Sequence, residues 1–295
     1  MGALDGRVAI ITGAGGGLGR EHALLFASEG AKIVVNDLGG NVDGSGADRA
    51  AAQVVVDEIL AMGGEAVANV DNVADWEGAQ RLVQTAVDTF GELHILVNNA
   101  GILRDRVLVN MSEQEWDAVI HVHLKGHFAP TRFAAAYWRE QTKAGKTNKA
   151  AIINTSSTSG IFGNAGQSNY GAAKSGIASF SQIVAMELDR YGVRSNAIAP
   201  AARTRMTIAT PGLSEVVKAP TDAAKFDVWE AANVSPMVAY LATEDCPFTG
   251  ETFLVQGDYV QRCAPWSLAE KISNDQERWT VAQLQAAAPT GLAKK

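Results

Sequence analysis

Cysteine is scarce in this chain of 295 residues: there are two, Cys246 and Cys263. Two cysteines build no disulfide framework, so a reducing compartment, the cytoplasm, is expected. Long apolar runs are missing as well. None approaches the roughly 20 residues of a membrane span. The start, MGALDGRVAIITGAGG, lacks the basic head and apolar core of a signal peptide. The last residues, Ala293-Lys294-Lys295, are not a peroxisomal signal of the Ser-Lys-Leu type. Nor is there an excess of basic charge. A net charge of -7 disfavours nucleic acid as a partner, because a phosphate backbone asks for a basic surface. A local positive patch can still meet an anionic ligand. Internal repeats and low-complexity segments are absent. The spacing of His121, His123 and His127 does not converge on one metal, so none is expected. What remains, 47% apolar and 19% charged residues, is ordinary for a globular protein. The length suits one large α/β domain with a sizeable core, or two small ones.

Short apolar runs alternate with helical stretches. The expected strands are Val8–Thr12, Lys32–Asp37, Ala66–Val70, Ile95–Asn98, Ala151–Thr155, Arg194–Ala199 and Thr252–Gln256. Helical patterns fill the gaps, among them Leu18–Ser28, Ala47–Met62, Trp76–Phe90 and Ser112–Tyr137. This alternation argues an α/β fold, a seven-stranded parallel sheet with helices on both faces. Three regions break the rhythm. Leu38–Gly46 is a Gly-rich loop longer than a usual turn. Ala201–Asp227, with Pro211, Gly212 and Pro220, reads as a mobile excursion and a lid candidate. Beyond the domain at 1–257, the segment 258–295 is expected as an extension packed on it. Its helix, Asn274–Ala288, is entered through Ser273-Asn274-Asp275 and stopped at Pro289.

Chemistry concentrates in a few places. Tyr170 and Lys174 are four residues apart in an Ala-rich helical stretch, so a phenol and an ammonium share a face. Ser157 follows a strand and can face them. Together they suit proton transfer at an alcohol oxygen: Ser157 donates a hydrogen bond, Tyr170 is the acid/base, and Lys174 lowers its pKa. At the other end, Val8–Thr12 runs into Gly13-Ala14-Gly15-Gly16-Gly17-Leu18-Gly19 and then a helix. Such a turn brings backbone N–H groups and a helix N-terminus to a pyrophosphate, as in Rossmann-type doubly wound folds. Asp37 ends the next strand, where a carboxylate accepts from the ribose hydroxyls of NAD and repels the extra phosphate of NADP. Asp71, with Asn72 beside it, suits either an adenine edge or the cap of the helix that follows.

These residues resemble the short-chain dehydrogenase/reductase family. Thr12–Gly19, Asn98-Asn99-Ala100-Gly101, Ser157 and the Tyr170–Lys174 pair stand in that family's order, over roughly Leu4 to Gly257. Within the family, NDLGG at Asn36–Gly40, NNAGILRD at Asn98–Asp105, VHLKG at Val122–Gly126 and SGIFGNAGQSNYGAAK at Ser159–Lys174 resemble the (3R)-hydroxyacyl-CoA dehydrogenase region of peroxisomal multifunctional enzymes of type 2. The resemblance implies NAD as cofactor, with Asn98, Ala100 and Gly101 along it and Ile198, Pro200 and Thr204 near the nicotinamide. It also implies a homodimer or homotetramer. Two departures stand out. Ala201 follows Pro200 where the family usually has Gly. His123 stands where the family usually has a catalytic Asn; it is either a relay group titrating near neutrality or a packed helix histidine.

For the substrate, the apolar Ile161, Phe162, Met206, Ile208, Leu213, Val216 and Val217 suit an acyl-CoA or a steroid. Arg104, Arg106, Arg203 and Arg205 are candidates for a CoA phosphate. Trp229, Trp266 and Trp279 are expected as packing anchors. The alternatives to a hydroxyacyl-CoA dehydrogenase are a 17β-hydroxysteroid dehydrogenase and a non-catalytic redox sensor. The second commonly lacks the Tyr or the Lys.

Overall fold

The computed structural model describes residues 2–46, 48, 50–210, 212–222, 225–264 and 266–293. The chain divides into two units, residues 1–263 and 264–295. The first boundary falls after Cys263, not after Gly257, because the sheet gains a strand.

The first unit opens with β1 (Val8–Thr12), α1 (Gly17–Ser28), β2 (Lys32–Asn36), α2 (Ala50–Ala61), β3 (Glu65–Asn69), α3 (Trp76–Phe90) and β4 (Ile95–Asn98). Next come α4 (Glu113–Ile120), a π turn (His121–Lys125) and α5 (Gly126–Lys143), then β5 (Ala150–Thr155), α6 (Thr158–Phe162) and α7 (Ser168–Leu188). It closes with β6 (Val193–Pro200), α8 (Arg205–Ala209), α9 (Ser235–Ala242), β7 (Thr252–Gln256) and β8 (Tyr259–Cys263). The sheet order is β3-β2-β1-β4-β5-β6-β7-β8; β8 alone pairs antiparallel. The seven expected strands are there, within a residue at each end. The eighth is an exposed edge strand whose sequence, YVQRC, carries no apolar run.

Alternation along the strands feeds two cores. Ala9, Ile11, Ile33, Val35 and Ile153 face one side with Phe26 and Ile59. Val8, Ile10, Val34, Leu96 and Ile152 face the other with Leu82, Trp138 and Val184. Trp138 also donates its indole N–H to the Leu93 carbonyl at 2.7 Å, which satisfies its one polar group. Each such side chain contributes about 1.5–3 kcal/mol by burial. Truncating Phe26 to Ala would cost about 3–5 kcal/mol.

Some expected boundaries move. The helix expected at Ala47–Met62 runs over Ala50–Ala61; Ala47 lies outside the described residues, as do Pro211, Lys294 and Lys295. The helix expected at Ser112–Tyr137 is capped by Ser112 but continues to Lys143, interrupted by the π turn. In the second unit, α10 spans Val281–Gly291 instead of Asn274–Ala288. Its N-cap is Thr280, paired reciprocally with Gln283, and Pro289 sits inside it, not at its end.

The order of the strands reverses between β1 and β4. A doubly wound sheet leaves a crevice there, outside the carboxyl ends of the strands.

Candidate active site

A cavity of about 690 Å³ occupies that crevice. Its walls come from the ends of β1 to β7. They include Gly13, Gly16, Gly17, Leu18, Asp37, Asp71, Asn72, Ala100, Gly101, His123, Ser157, Tyr170, Lys174, Pro200 and Thr204. Most of the cofactor and catalytic residues expected from sequence are therefore brought to one place.

At one end, the Gly-rich turn is shaped by close approaches. Gly13 has φ 64° and lies so near Ala100 that a Cβ would sit 2.8 Å from its Cα. Gly19 does not line the cavity. A Cβ there would run into the Gly13 carbonyl, so this glycine lets α1 pack against β1. Asp37 is fixed by backbone. Its Oδ2 accepts from Gly15 N–H at 2.8 Å, and its Oδ1 accepts from Gly39 N–H at 2.6 Å. Asp71 accepts from Arg81 Nε at 2.8 Å and from Asn69 at 3.0 Å. It does not cap α3; Asp75 does, accepting from Gly78 N–H at 2.7 Å.

Asn98 is not at the wall. It is fully buried, and its amide donates to Thr131 and Asn154, each at 2.9 Å. Asn99 takes the wall position, bonded to Thr12 and Gly13. Ile198 is likewise buried beneath the cavity. Pleat alternation turns Asn98 away from Asn99, while Ile198 lies two residues inside the end of β6, where Pro200 takes the wall position.

At the other end, α7 carries Tyr170 and Lys174 on one face. Lys174 is 2% exposed and donates to the Thr155 carbonyl at 2.5 Å. Its Nζ lies 5.5 Å from the centre of the Tyr170 ring. Ser157 caps α6 by accepting from Ser159 N–H at 3.2 Å, which leaves its own O–H to donate. Gly160 lets α6 press on α7: a Cβ would come within 2.6 Å of the Lys174 backbone.

Burial dominates the electrostatics here. It pushes the Tyr170 phenol up to about 12; Ser157 works against it and Asp105 works with it. It pulls Lys174 down to about 7. Desolvation thus favours the neutral form of both groups.

His123 sits on the π turn, fully buried. Its Nε2 lies 2.8 Å from the Ile102 carbonyl and 3.0 Å from the Ile102 N–H, so the tautomer decides which is bonded. Its ring meets Tyr170 edge-on at 5.1 Å. Gly101 makes room for it; a Cβ there would strike the imidazole. Burial, then the Lys174 charge, holds His123 well below its usual pKa. That favours its neutral form. Among the described residues no group of three His, Cys, Asp or Glu side chains is arranged to hold a metal, and no helix is long and apolar enough to cross a membrane.

The substrate side mixes confirmed and revised positions. Phe162, Met206, Leu213 and Val217 line the cavity, while Ile161, Ile208 and Val216 do not. Trp229 is half-buried in the wall, whereas Trp266 is 93% exposed and is not the packing anchor expected. Pro200 and Thr204 line the cavity; Ala201 N–H donates to the Val255 carbonyl at 2.9 Å, a sheet bond.

Comparison with known proteins agrees with this geometry. A family model described as short chain dehydrogenase matches residues 7–211. The chain is 48% identical to peroxisomal multifunctional enzyme type 2 of Drosophila melanogaster, over 89% of this chain and 40% of that one. It is 42% identical to hydroxyacyl-CoA dehydrogenase ChsB1 of Mycobacterium tuberculosis, over 96% of this chain and 87% of the other. A solved short chain dehydrogenase from Mycobacterium avium superposes with a TM-score of 0.87 at 51% identity, covering 99% of this chain and 96% of that one.

Proposed function

The chain belongs to the short-chain dehydrogenase family, and from that membership we propose that it oxidises a (3R)-hydroxyacyl-CoA to the 3-oxoacyl-CoA with NAD. One observation carries the reading: a single cavity is walled at one end by Asp37 and the Gly-rich turn, and at the other by Ser157, Tyr170 and Lys174. Hydroxyacyl-CoA dehydrogenase is also the name of a relative that aligns over most of both chains.

The residues present fit a dinucleotide. Gly16 and Gly17 offer side-chain-free backbone to the cavity, and a Cβ on either would meet nothing nearer than 3.7 Å. Both Asp37 oxygens are oriented by backbone and keep a lone pair for a ribose hydroxyl. That carboxylate supports NAD over NADP, whose further phosphate it would repel. When bound, the nicotinamide supplies hydride acceptance.

The chain itself supplies the proton side. The Ser157 O–H orients the substrate oxygen. Tyr170 takes the hydroxyl proton as the carbinol carbon gives up its hydride. Lys174 holds the ribose and favours the phenolate while charged. His123, neutral and with Nδ1 lacking a partner among the described residues, offers that nitrogen to a water linking Lys174 to solvent, along which the proton leaves. Exposed Ile183 and Met186 on α7 support assembly into a homodimer or homotetramer.

The test follows NAD reduction with a (3R)-hydroxyacyl-CoA, its (3S) enantiomer, a 17β-hydroxysteroid and no substrate. Turnover of the (3R) thioester is expected. Turnover of the hydroxysteroid alone would sink the acyl-CoA reading. Tight NAD binding with no turnover would mark a redox sensor instead.

A further inference from the structure

Four arginines stood out in the sequence as possible phosphate ligands, and the structure separates them. Arg104 donates to the Asp43 carbonyl at 2.9 Å. Arg106 holds Glu115 at 3.1 Å. Arg203 is committed to Asp227 and to the Val217 carbonyl. Each of these guanidiniums serves to fix a loop. Arg205 does not: among the described residues it makes no hydrogen bond and no ion pair, although it lines the cavity.

Its position is specific. Arg205 Nη2 is 3.7 Å from where a Cβ on Gly16 would stand, and Thr204 Cγ2 is 4.0 Å from the same point on Gly17. The chain after β6 therefore roofs the Gly-rich turn, and a guanidinium lies at that roof. The Lys174 ammonium, also in the wall, is buried and donates to the Thr155 carbonyl. A planar fork of donors, unspent on the protein, over a turn without side chains, is matched to the oxygens of a phosphoryl group.

We propose that Arg205 is the phosphate-recognising cation of this cavity, binding a phosphoryl oxyanion beside Gly16. Two molecules in the reaction carry that chemistry: the dinucleotide, through its pyrophosphate, and a CoA thioester, through its own phosphates. The inference rests on the reaction proposed above and adds the residue through which one of the two is held.

The experiment compares wild type with R205A and R205K. The NAD dissociation constant is measured by calorimetry without substrate, at low and high salt. KM is measured for a (3R)-hydroxyacyl-CoA and for the same acyl group on N-acetylcysteamine, which has no phosphate. R205A is expected to weaken one of these about tenfold. A weaker, less salt-dependent NAD affinity assigns Arg205 to the pyrophosphate. A raised KM for the CoA thioester alone assigns it to CoA. R205K restores part of the loss, because a point charge lacks the fork. Thermal unfolding should not move, since the side chain has no partner to lose. Unchanged NAD affinity and an unchanged ratio of the two KM values in R205A overturn the proposal. Wild type that neither binds NAD nor oxidises the thioester overturns instead the reaction on which it rests.

Discussion

The two ends of the cavity are built on opposite terms. Around Asp37 the protein satisfies its own polar groups: backbone N–H from Gly15 and Gly39 meets both carboxylate oxygens. Around Lys174 it does not. His123 Nδ1, His127 Nε2, Asn98 Oδ1 and Thr155 Oγ1 are all buried and have no partner among the described residues. Burial there pushes Tyr170, Lys174 and His127 alike toward the uncharged form. Recognition can be fixed in advance by backbone, at no cost in unmet bonds. Proton transfer requires groups that are not already spent, and a buried group without a partner costs about 1–3 kcal/mol. One end is finished by folding; the other is completed by what enters it.

The contrast can be broken most severely at Tyr170. Tyr170→Phe removes the proposed acid/base and should lower turnover about a thousandfold. NAD affinity, held at the other end, should change less than about twofold. Retained turnover would show that the base lies elsewhere.

The uncharged cluster should also make the fold acid-labile. Burial lowers His127 to about 3, while the unfolded chain protonates its histidines near pH 6.5. Below that pH the unfolded state binds a proton that the folded state refuses. Stability is thus fully present above pH 6.5 and is lost as pH falls toward 3, by on the order of 4 kcal/mol for this residue. His22, also near 3 and bonded to Ser235, adds to the slope. Denaturation followed across that range should show a shallower dependence in His127→Gln; parallel curves would refute the assignment.

One substitution made at both ends sharpens the difference. Gly101→Ala drives a methyl into the His123 ring and should cost about 1–3 kcal/mol in chemical denaturation. Gly16→Ala meets only Arg205 Nη2, at an ordinary contact distance of 3.7 Å, and should leave stability unchanged. Equal effects would mean that the catalytic end is looser than its packing implies. Smallest of all, Asp37→Ala should shift the preference between NAD and NADP by roughly tenfold, read from the two kcat/KM values. An unchanged ratio would tell against the ribose role.

What sequence revealed follows the same division. The Gly-rich turn, Asp37, and the Tyr170–Lys174 pair are local patterns, so chain order alone brings them into view. The seven inner strands announce themselves by apolar runs. β8 is an exposed edge and has none. Asn98 and Asn99 are chemically identical neighbours, and only sheet register decides which one faces the cavity. The pull of burial on Lys174 depends on how closely α6, α5 and β5 surround it, which no spacing encodes. One miss was avoidable: Thr280 and Gln283 spell a capping box that marks the true start of α10.

The π turn at His121–Lys125 ties length to chemistry. A π turn holds one residue more than the winding around it. The extra residue lets Val119 before the turn and Ala129 after it both keep buried faces, while His123 within it meets Tyr170. Deleting one residue within His121–Lys125 would restore ordinary winding with both flanking faces still in register. Such a deletion should spare the packing of α4 and α5 and remove only the seat of His123 beside Tyr170.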